Sequence, residues 1–264
     1  MKSLLFVSIL SLGACATDGV FDELAGESPD DIVAGGKADA GAVDGAYTYF
    51  AITADMRKCS APACGGFFLD ILNRSSTVCH DGSVAEACYA PVLDWSESGL
   101  SEGPQATLLD AAGRSALMAD TGGVFALVRG RFAPVNDTTP MPELGRFVVT
   151  EAWVAETDTP AAGVFVKVHD AGIKCITTPC PSLEEKGLNE GRTAIIGSID
   201  FSLASLGESS IASFTDALFT NPAGIIIAGD RFNTSENGQT VKNRTATAAY
   251  RKLADSPAQQ QSGE

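Results

Sequence analysis

Short β-branched and aromatic runs, broken by Gly, Pro, Asn and Asp, recur between residues 46 and 253. Runs at 47–53, 66–72 and 89–95, and again at 164–169 and 193–201, predict strands. Two stretches change period. At 104–118 the residues Leu108, Leu109, Ala112, Ala116 and Leu117 fall on one helical face, and at 208–219 Ile211, Phe214, Ala217 and Leu218 do the same. Each predicted helix is followed by a buried-strand run, at 124–132 or 224–228, and by a last strand at 146–155 or 244–253. The stretch 181–186, with Pro181, Glu184, Glu185 and Lys186, is less strand-like and reads as irregular.

The same order of signals occurs twice. Lys58-Cys59 with Cys64 and then Asn73 matches Lys174-Cys175 with Cys180 and then Asn189. Val92-Leu93-Asp94-Trp95 aligns with Ser198-Ile199-Asp200-Phe201, and Thr150-Glu151-Ala152-Trp153 with Thr247-Ala248-Ala249-Tyr250. The pattern predicts two sequence-related β-rich units, 46–157 and 162–253, joined at Thr157-Asp158-Thr159-Pro160. Each would run β-β-β-α-β-β. The expected fold class is α+β, with antiparallel sheets, one helix per unit and disulfide-braced loops. Trp95, Trp153, Phe201 and Tyr250 occupy matching places and read as core positions.

The residues before the first unit carry an address. Lys2 precedes the apolar run Leu4 to Leu10, far shorter than the ~20 apolar residues that cross a bilayer, and small residues follow it. Residues 1–14 read as a signal peptide. Leu12-Gly13-Ala14-Cys15 resembles the lipobox of bacterial lipoproteins, which implies acylation of Cys15 and retention on a membrane. Ala16 follows the cysteine; by resemblance to the sorting rule of Gram-negative lipoproteins, this favours the outer membrane, on its periplasmic or surface face. Residues 16–44 then hold eight acids against Lys37 alone, so 15–45 reads as a lipidated cysteine followed by a self-repelling tether of about 30 Å root-mean-square span. Residues 254–264 read as a frayed tail.

Composition narrows the function classes. Hydrophobic residues make up 45% and charged residues 19% of the 264, as in an ordinary packed protein. A formal charge of -15 argues against an unaided nucleic-acid binder, which must neutralise phosphates. Two histidines leave little room for His-based catalysis.

Apart from Cys15 there are six cysteines: Cys59, Cys64, Cys79, Cys88, Cys175 and Cys180. An even set in an exported chain reads as three disulfides, and local pairing of successive cysteines is expected. Zinc is the rival, with Cys59, Cys64, Cys79 and His80 as ligands, but the spacing is loose and an oxidising compartment favours cystine. The segments around these cysteines, from Asp55-Met56-Arg57-Lys58-Cys59 to Gly65-Gly66-Phe67, then Cys79-His80-Asp81-Gly82, and Gly172-Ile173-Lys174-Cys175 to Ser182-Leu183, resemble a family of lipoproteins from myxobacteria and their relatives. The resemblance covers Tyr47 to Leu253. Because that family's domain is of unknown function, the resemblance supports export and disulfides and supplies no activity.

Reactive constellations fare poorly. Asp120-Thr121-Gly122 has the order of an aspartic-protease motif, but the matching place reads Asn221-Pro222-Ala223 and lacks the second carboxylate. His169, Asp170 and Ser182 form no recognisable nucleophile motif, and His80 reads as a residue packed beside a cystine. No catalytic residue, cofactor or metal is therefore expected. The candidate binding residues are those of two small rings, Ser60, Ala61, Pro62 and Ala63 in one and Ile176, Thr177, Thr178 and Pro179 in the other, since closed rings present a surface at little entropic cost. The expected function is a lipid-anchored, non-catalytic binding protein of the cell envelope. Its partners would be the membrane and an envelope or extracellular protein. A protease inhibitor presenting the rings, or an unrecognised hydrolase, are the alternatives.

Overall fold

The computed structural model describes residues 48–133 and 144–254. The signal segment, Cys15, the acidic tether and the tail from 255 onward lie outside the described residues.

The first half of the chain contributes β1 (Thr48–Ala54), β2 (Phe67–Ile71), the small hairpin β3 (Thr77–Val78) and β4 (Val84–Ala85), then β5 (Cys88–Ala90), β6 (Leu93–Asp94), α1 (Glu102–Leu117), β7 (Ala126–Ala133) and β8 (Arg146–Ala155). The second contributes β9 (Val164–Asp170), β10 (Leu183–Gly187), β11 (Thr193–Ile196), β12 (Ile199–Asp200), α2 (Glu208–Thr220), β13 (Ile225–Glu236) and β14 (Gln239–Lys252). Twelve of these strands form one sheet in the order β11-β10-β9-β13-β14-β8-β7-β1-β2-β5, with β12 joined to β14 and β6 to β8. Those two joints are parallel, and the other pairings are antiparallel.

This corrects the expected fold class. The protein is predominantly β rather than α+β, and its strands belong to one large sheet rather than to two units with a sheet each. The hydrogen-bonded pairs Tyr250–Ala155, Arg251–Val154 and Lys252–Trp153 carry the sheet across the expected boundary without a break. No clear two-unit repeat emerges either. The stretch before α1 holds the additional β3–β4 hairpin, and β13 and β14 extend as a 12- and 14-residue ribbon where β7 and β8 have 8 and 10 residues. A sheet edge left open in each half would expose unpaired N–H and C=O groups, and joining β8 to β14 removes two such edges at once.

Two local expectations also change. The stretch 183–187 is a regular strand, β10, bonded to β9 and β11 on its two sides. Its charges are tolerated because Glu184 and Lys186 point one way while Leu183 and Glu185 are buried the other way. On α1 the buried stripe is Leu108, Ala111, Ala112 and Ser115, whereas Leu109 and Leu117 face solvent. Alanines and Ser115 let this helix lie close to the sheet, and the Ser115 hydroxyl accepts the Phe125 N–H at 3.0 Å. In α2 the expected face is buried, with Phe214 and Leu218 inward and Ile211 and Ala217 against them.

Both helices pack on one face of the sheet. Leu108, Ala111 and Ala112 of α1 share a core with Phe50, Phe132 and Phe147, whose rings meet edge to face at 5.1 to 6.0 Å. Phe214 and Leu218 of α2 share another with Val166, Ile196, Phe201 and Ile227. Burying one such aromatic or aliphatic side chain contributes roughly 1.5–3 kcal/mol. A third cluster, Leu72, Leu127, Trp153, Leu188, Ile226 and Tyr250 among others, contains no helical residue. It fills the concave side of the sheet, where the start of β1 and end of β2 curl back to meet the start of β9 and end of β10.

Candidate functional site

The concave face gains its charged residues through a β-bulge. The register of β7 and β8 shifts between Arg129 and Gly130, so that Gly130 pairs with Val149 while Arg129 pairs with Glu151. The extra residue, Thr150, anchors its hydroxyl to the Arg129 carbonyl at 3.0 Å. A bulge of this kind resets the alternation of side chains. Phe147 and Val149 before it, and Ala152 and Val154 after it, all face α1, leaving Glu151 and Trp153 on the other side.

Glu151 is the hub of that side. One of its oxygens, Oε1, accepts from Arg129 at 3.0 Å and lies 3.6 Å from the Lys252 ammonium; the other, Oε2, accepts from Trp153 Nε1 at 3.3 Å and from the Tyr49 hydroxyl at 3.5 Å. Lys252 and Lys167 each place Nζ 5.9 Å from the centre of the Trp153 ring, and Arg129 lies over the Tyr49 ring at 5.6 Å. Trp153 itself is fully buried, while the Arg129 and Lys252 side chains keep 37% and 32% of their exposure and so can be reached from solvent.

Electrostatics follow from this crowding. Burial alone would push the Glu151 carboxyl up, but Lys252, Lys167 and Arg129 outweigh it and hold the group below the usual range. Lys167 is shifted down from an ordinary lysine, first by burial and then by the positive charges of Lys252, Arg129 and Lys186, against which Glu151 acts. Tyr49 is pushed up to about 12, by burial first and by the Glu151 charge second. The arrangement can hold an anion; a phenol so hard to ionise and a carboxylate held ionised by three cations make poor proton-transfer partners near neutral pH.

The residues singled out from the sequence lie elsewhere. Disulfides join Cys59 to Cys64, Cys79 to Cys88 and Cys175 to Cys180. The first ring is docked on the sheet: Tyr89 donates to the Pro62 carbonyl at 2.7 Å, and Arg57 donates to the Ala63 carbonyl at 3.0 Å. Arg57 is held in turn by the buried Asp55 carboxylate and lies against Phe68 and Tyr89 at 5.1 and 5.3 Å. Ser60, Ala61 and Ala63 in that ring are exposed. The second ring is equally open to solvent. Ile176, Thr177 and Thr178 are exposed, Ile176 at 103%, and the Thr178 carbonyl accepts from Asn237 at 3.2 Å.

Asp120 and Thr121 sit in an exposed single turn after α1, and Asn221 caps the end of α2. Asp170 accepts the N–H of Gly172, and His169 lies across from Glu184 within the sheet. Trp153, Tyr250 and Phe201 are buried and Trp95 packs at the edge of the α1 core. Among the described residues no group of three or more His, Cys, Asp or Glu converges as a metal site, and no helix is long and apolar enough to cross a membrane.

Tyr49, Arg129, Glu151, Lys167 and Lys252 carry no motif that marks them in the sequence as a site. A signal was there. Arg129 follows Val128 in a buried run, and Lys167 stands between Val166 and Val168, places where a charge is costly without a purpose.

Residues 48–256 match the family described as Domain of unknown function (DUF6748). The chain belongs to this family. The matched span contains every residue of the Glu151 cluster and all three disulfides. No curated protein and no solved structure matches it.

Proposed function

We propose that this DUF6748 chain is a lipid-anchored cell-envelope protein of the myxobacterial lipoprotein type, whose body is a non-catalytic binding module. The anchor rests on Leu12-Gly13-Ala14-Cys15 and the acidic stretch that follows it. Three disulfides accord with an oxidising compartment. The observation that carries the binding role is Ile176, a fully exposed apolar side chain within a cystine-closed ring. Such a ring loses little entropy when it docks, and an exposed apolar side chain gains by leaving water. Its partner would be an envelope or extracellular protein.

Two measurements test this. Cys15→Ser, or globomycin treatment, abolishes membrane retention of the full chain if Cys15 is the anchor; unaltered retention removes the lipoprotein part. An envelope pull-down with the full chain and with Ile176→Asp tests the ring. A partner lost in the variant supports the binding role, while turnover of a substrate with no ring-dependent partner refutes it. The exposed, braced ring also suits a substrate-like protease inhibitor, for which a set of serine and cysteine proteases assayed with wild type and with a bulky residue at Thr178 is the direct check.

A further inference from the structure

The Glu151 cluster is chemically unfinished. Three cations, Arg129, Lys167 and Lys252, surround one carboxylate, and Lys186 adds its charge from β10. Both Glu151 oxygens are already occupied, Oε1 by Arg129 and Lys252 and Oε2 by Trp153 and Tyr49. Lys167 is left with the ring face of Trp153 as its contact, in a half-buried place where desolvation and like charges act against its ammonium. Among the described residues Lys167 has no carboxylate within ion-pair distance, and β7, β8, β9 and β14 are already joined through their backbone ladders and apolar side chains. Like charges gathered at a few ångströms cost stability unless something answers them.

We infer that the concave face is a binding site for a small oxyanion, a carboxylate or a phosphate, which docks over Trp153 between Lys167 and Lys252, with Arg129 beside it. Among the described residues neither helix packs on this face, and the Arg129 and Lys252 side chains keep 37% and 32% of their exposure, which gives the anion its approach. Glu151 serves as the positioning residue: it fixes Arg129 and Lys252, and through Trp153 Nε1 it fixes the ring against which both lysines rest. Because Trp153 is buried beneath the lysines, the site recognises charge and spacing and offers no flat surface for stacking a base or sugar ring. The site uses none of the ring residues and stands whether or not the rings have a partner.

The test is calorimetric titration of the full chain in detergent with inorganic phosphate and, separately, with citrate, at constant ionic strength. Saturable binding of either anion, weakened at least tenfold in Lys167→Met and in Lys252→Met but unchanged in Lys242→Met on the exposed ribbon, is the expected result. The stronger of the two titrants identifies the chemistry as phosphate or carboxylate. Circular dichroism of each variant confirms that it is folded. Absence of saturable heat with both anions, or equal binding by wild type and the two site variants, overturns the proposal and leaves the ring-dependent pull-down unaffected.

Discussion

Asn73 and Asn189 hold each other's strands. Asn73 Nδ2 donates to the carbonyls of Phe165 and Leu188 at 2.8 and 2.9 Å, and its Oδ1 accepts the Phe165 N–H at 2.8 Å. Asn189 returns the pattern, donating to Tyr49 and Leu72 at 2.7 and 3.0 Å and accepting the Tyr49 N–H at 2.8 Å. Both residues are left-handed, with φ of 60° and 58°, a conformation that asparagine tolerates better than most side chains. The two residues tie β1 and β2 to β9 and β10 although four strands separate these pairs in the sheet. These two side-chain amides, with the Arg74 guanidinium donating to the Asn189 carbonyl at 2.8 Å and the apolar cluster beneath them, hold the curl of the concave face.

Asn73→Ala and Asn189→Ala should each lower stability by about 2–4 kcal/mol. Each variant strands backbone groups at a half-buried seam and puts a Cβ-bearing residue without a compensating hydrogen bond at positive φ. Asp at either place keeps the acceptor but turns a carboxylate oxygen toward two carbonyl oxygens, so its loss should be at least that of Ala. Denaturant midpoints of the four variants check the order.

Glu151→Gln removes the carboxylate that pairs with Arg129 and Lys252 and faces Lys167, and a loss of about 2–4 kcal/mol is expected. The double variant Glu151→Gln with Lys167→Met should be less unstable than the sum of its parts, because the second change removes a cation that the first leaves uncompensated. High salt should narrow the difference between wild type and Glu151→Gln.

Glu185 is fully buried and accepts from Arg231 and from Arg244, whose Nε lies 2.5 Å away; Arg244 also donates to the Gly229 carbonyl at 2.6 Å. Removing Glu185 leaves the nearly buried Arg244 without its carboxylate, and removing Arg244 leaves the buried Glu185 with only the partly exposed Arg231 against it. Glu185→Gln or Arg244→Met should cost about 3–5 kcal/mol, whereas Arg231→Met, at the exposed side, should cost less.

Asp70 has its carboxyl pushed up to about 6 from 3.8, by burial first and by the negative charge of Glu86 second. Because the folded value is the higher one, the native state binds more protons between these limits, and stability falls as pH rises from about 4 through about 6. Asp70 keeps considerable solvent contact, so the effect should be under about 1 kcal/mol. Asp70→Asn should flatten the slope of stability against pH in that window, as thermal melts at pH 4 to 7 would show.

How much of this was legible beforehand depends on the range of each interaction. Period-2 runs such as Val164 to His169 and the helical face of Phe214 and Leu218 are local patterns, and they lie where the spacing put them. Disulfides between successive cysteines are local too. The continuous sheet is not. Its central joint pairs residues 153–155 with 250–252, and nothing in Ala155 or Tyr250 names the other as its neighbour. The Glu151 site escaped for the same reason: its members come from β1, β7, β8, β9 and β14, and a bulge at Thr150 decides which way Glu151 points. The strand at 183–187 looks irregular in the sequence because Glu185 resembles a surface residue until Arg244 is placed beside it.

All the site residues meet only if the two halves of the chain share one sheet, and equilibrium unfolding tests that sharing most directly. The chain has two tryptophans, Trp95 near the α1 core and Trp153 at the central joint, so fluorescence follows the first half and the joint while far-ultraviolet circular dichroism follows all strands. A single transition with coincident midpoints by both probes is the expected result. Two separated transitions, with part of the strand signal surviving after the Trp153 environment is lost, would contradict it.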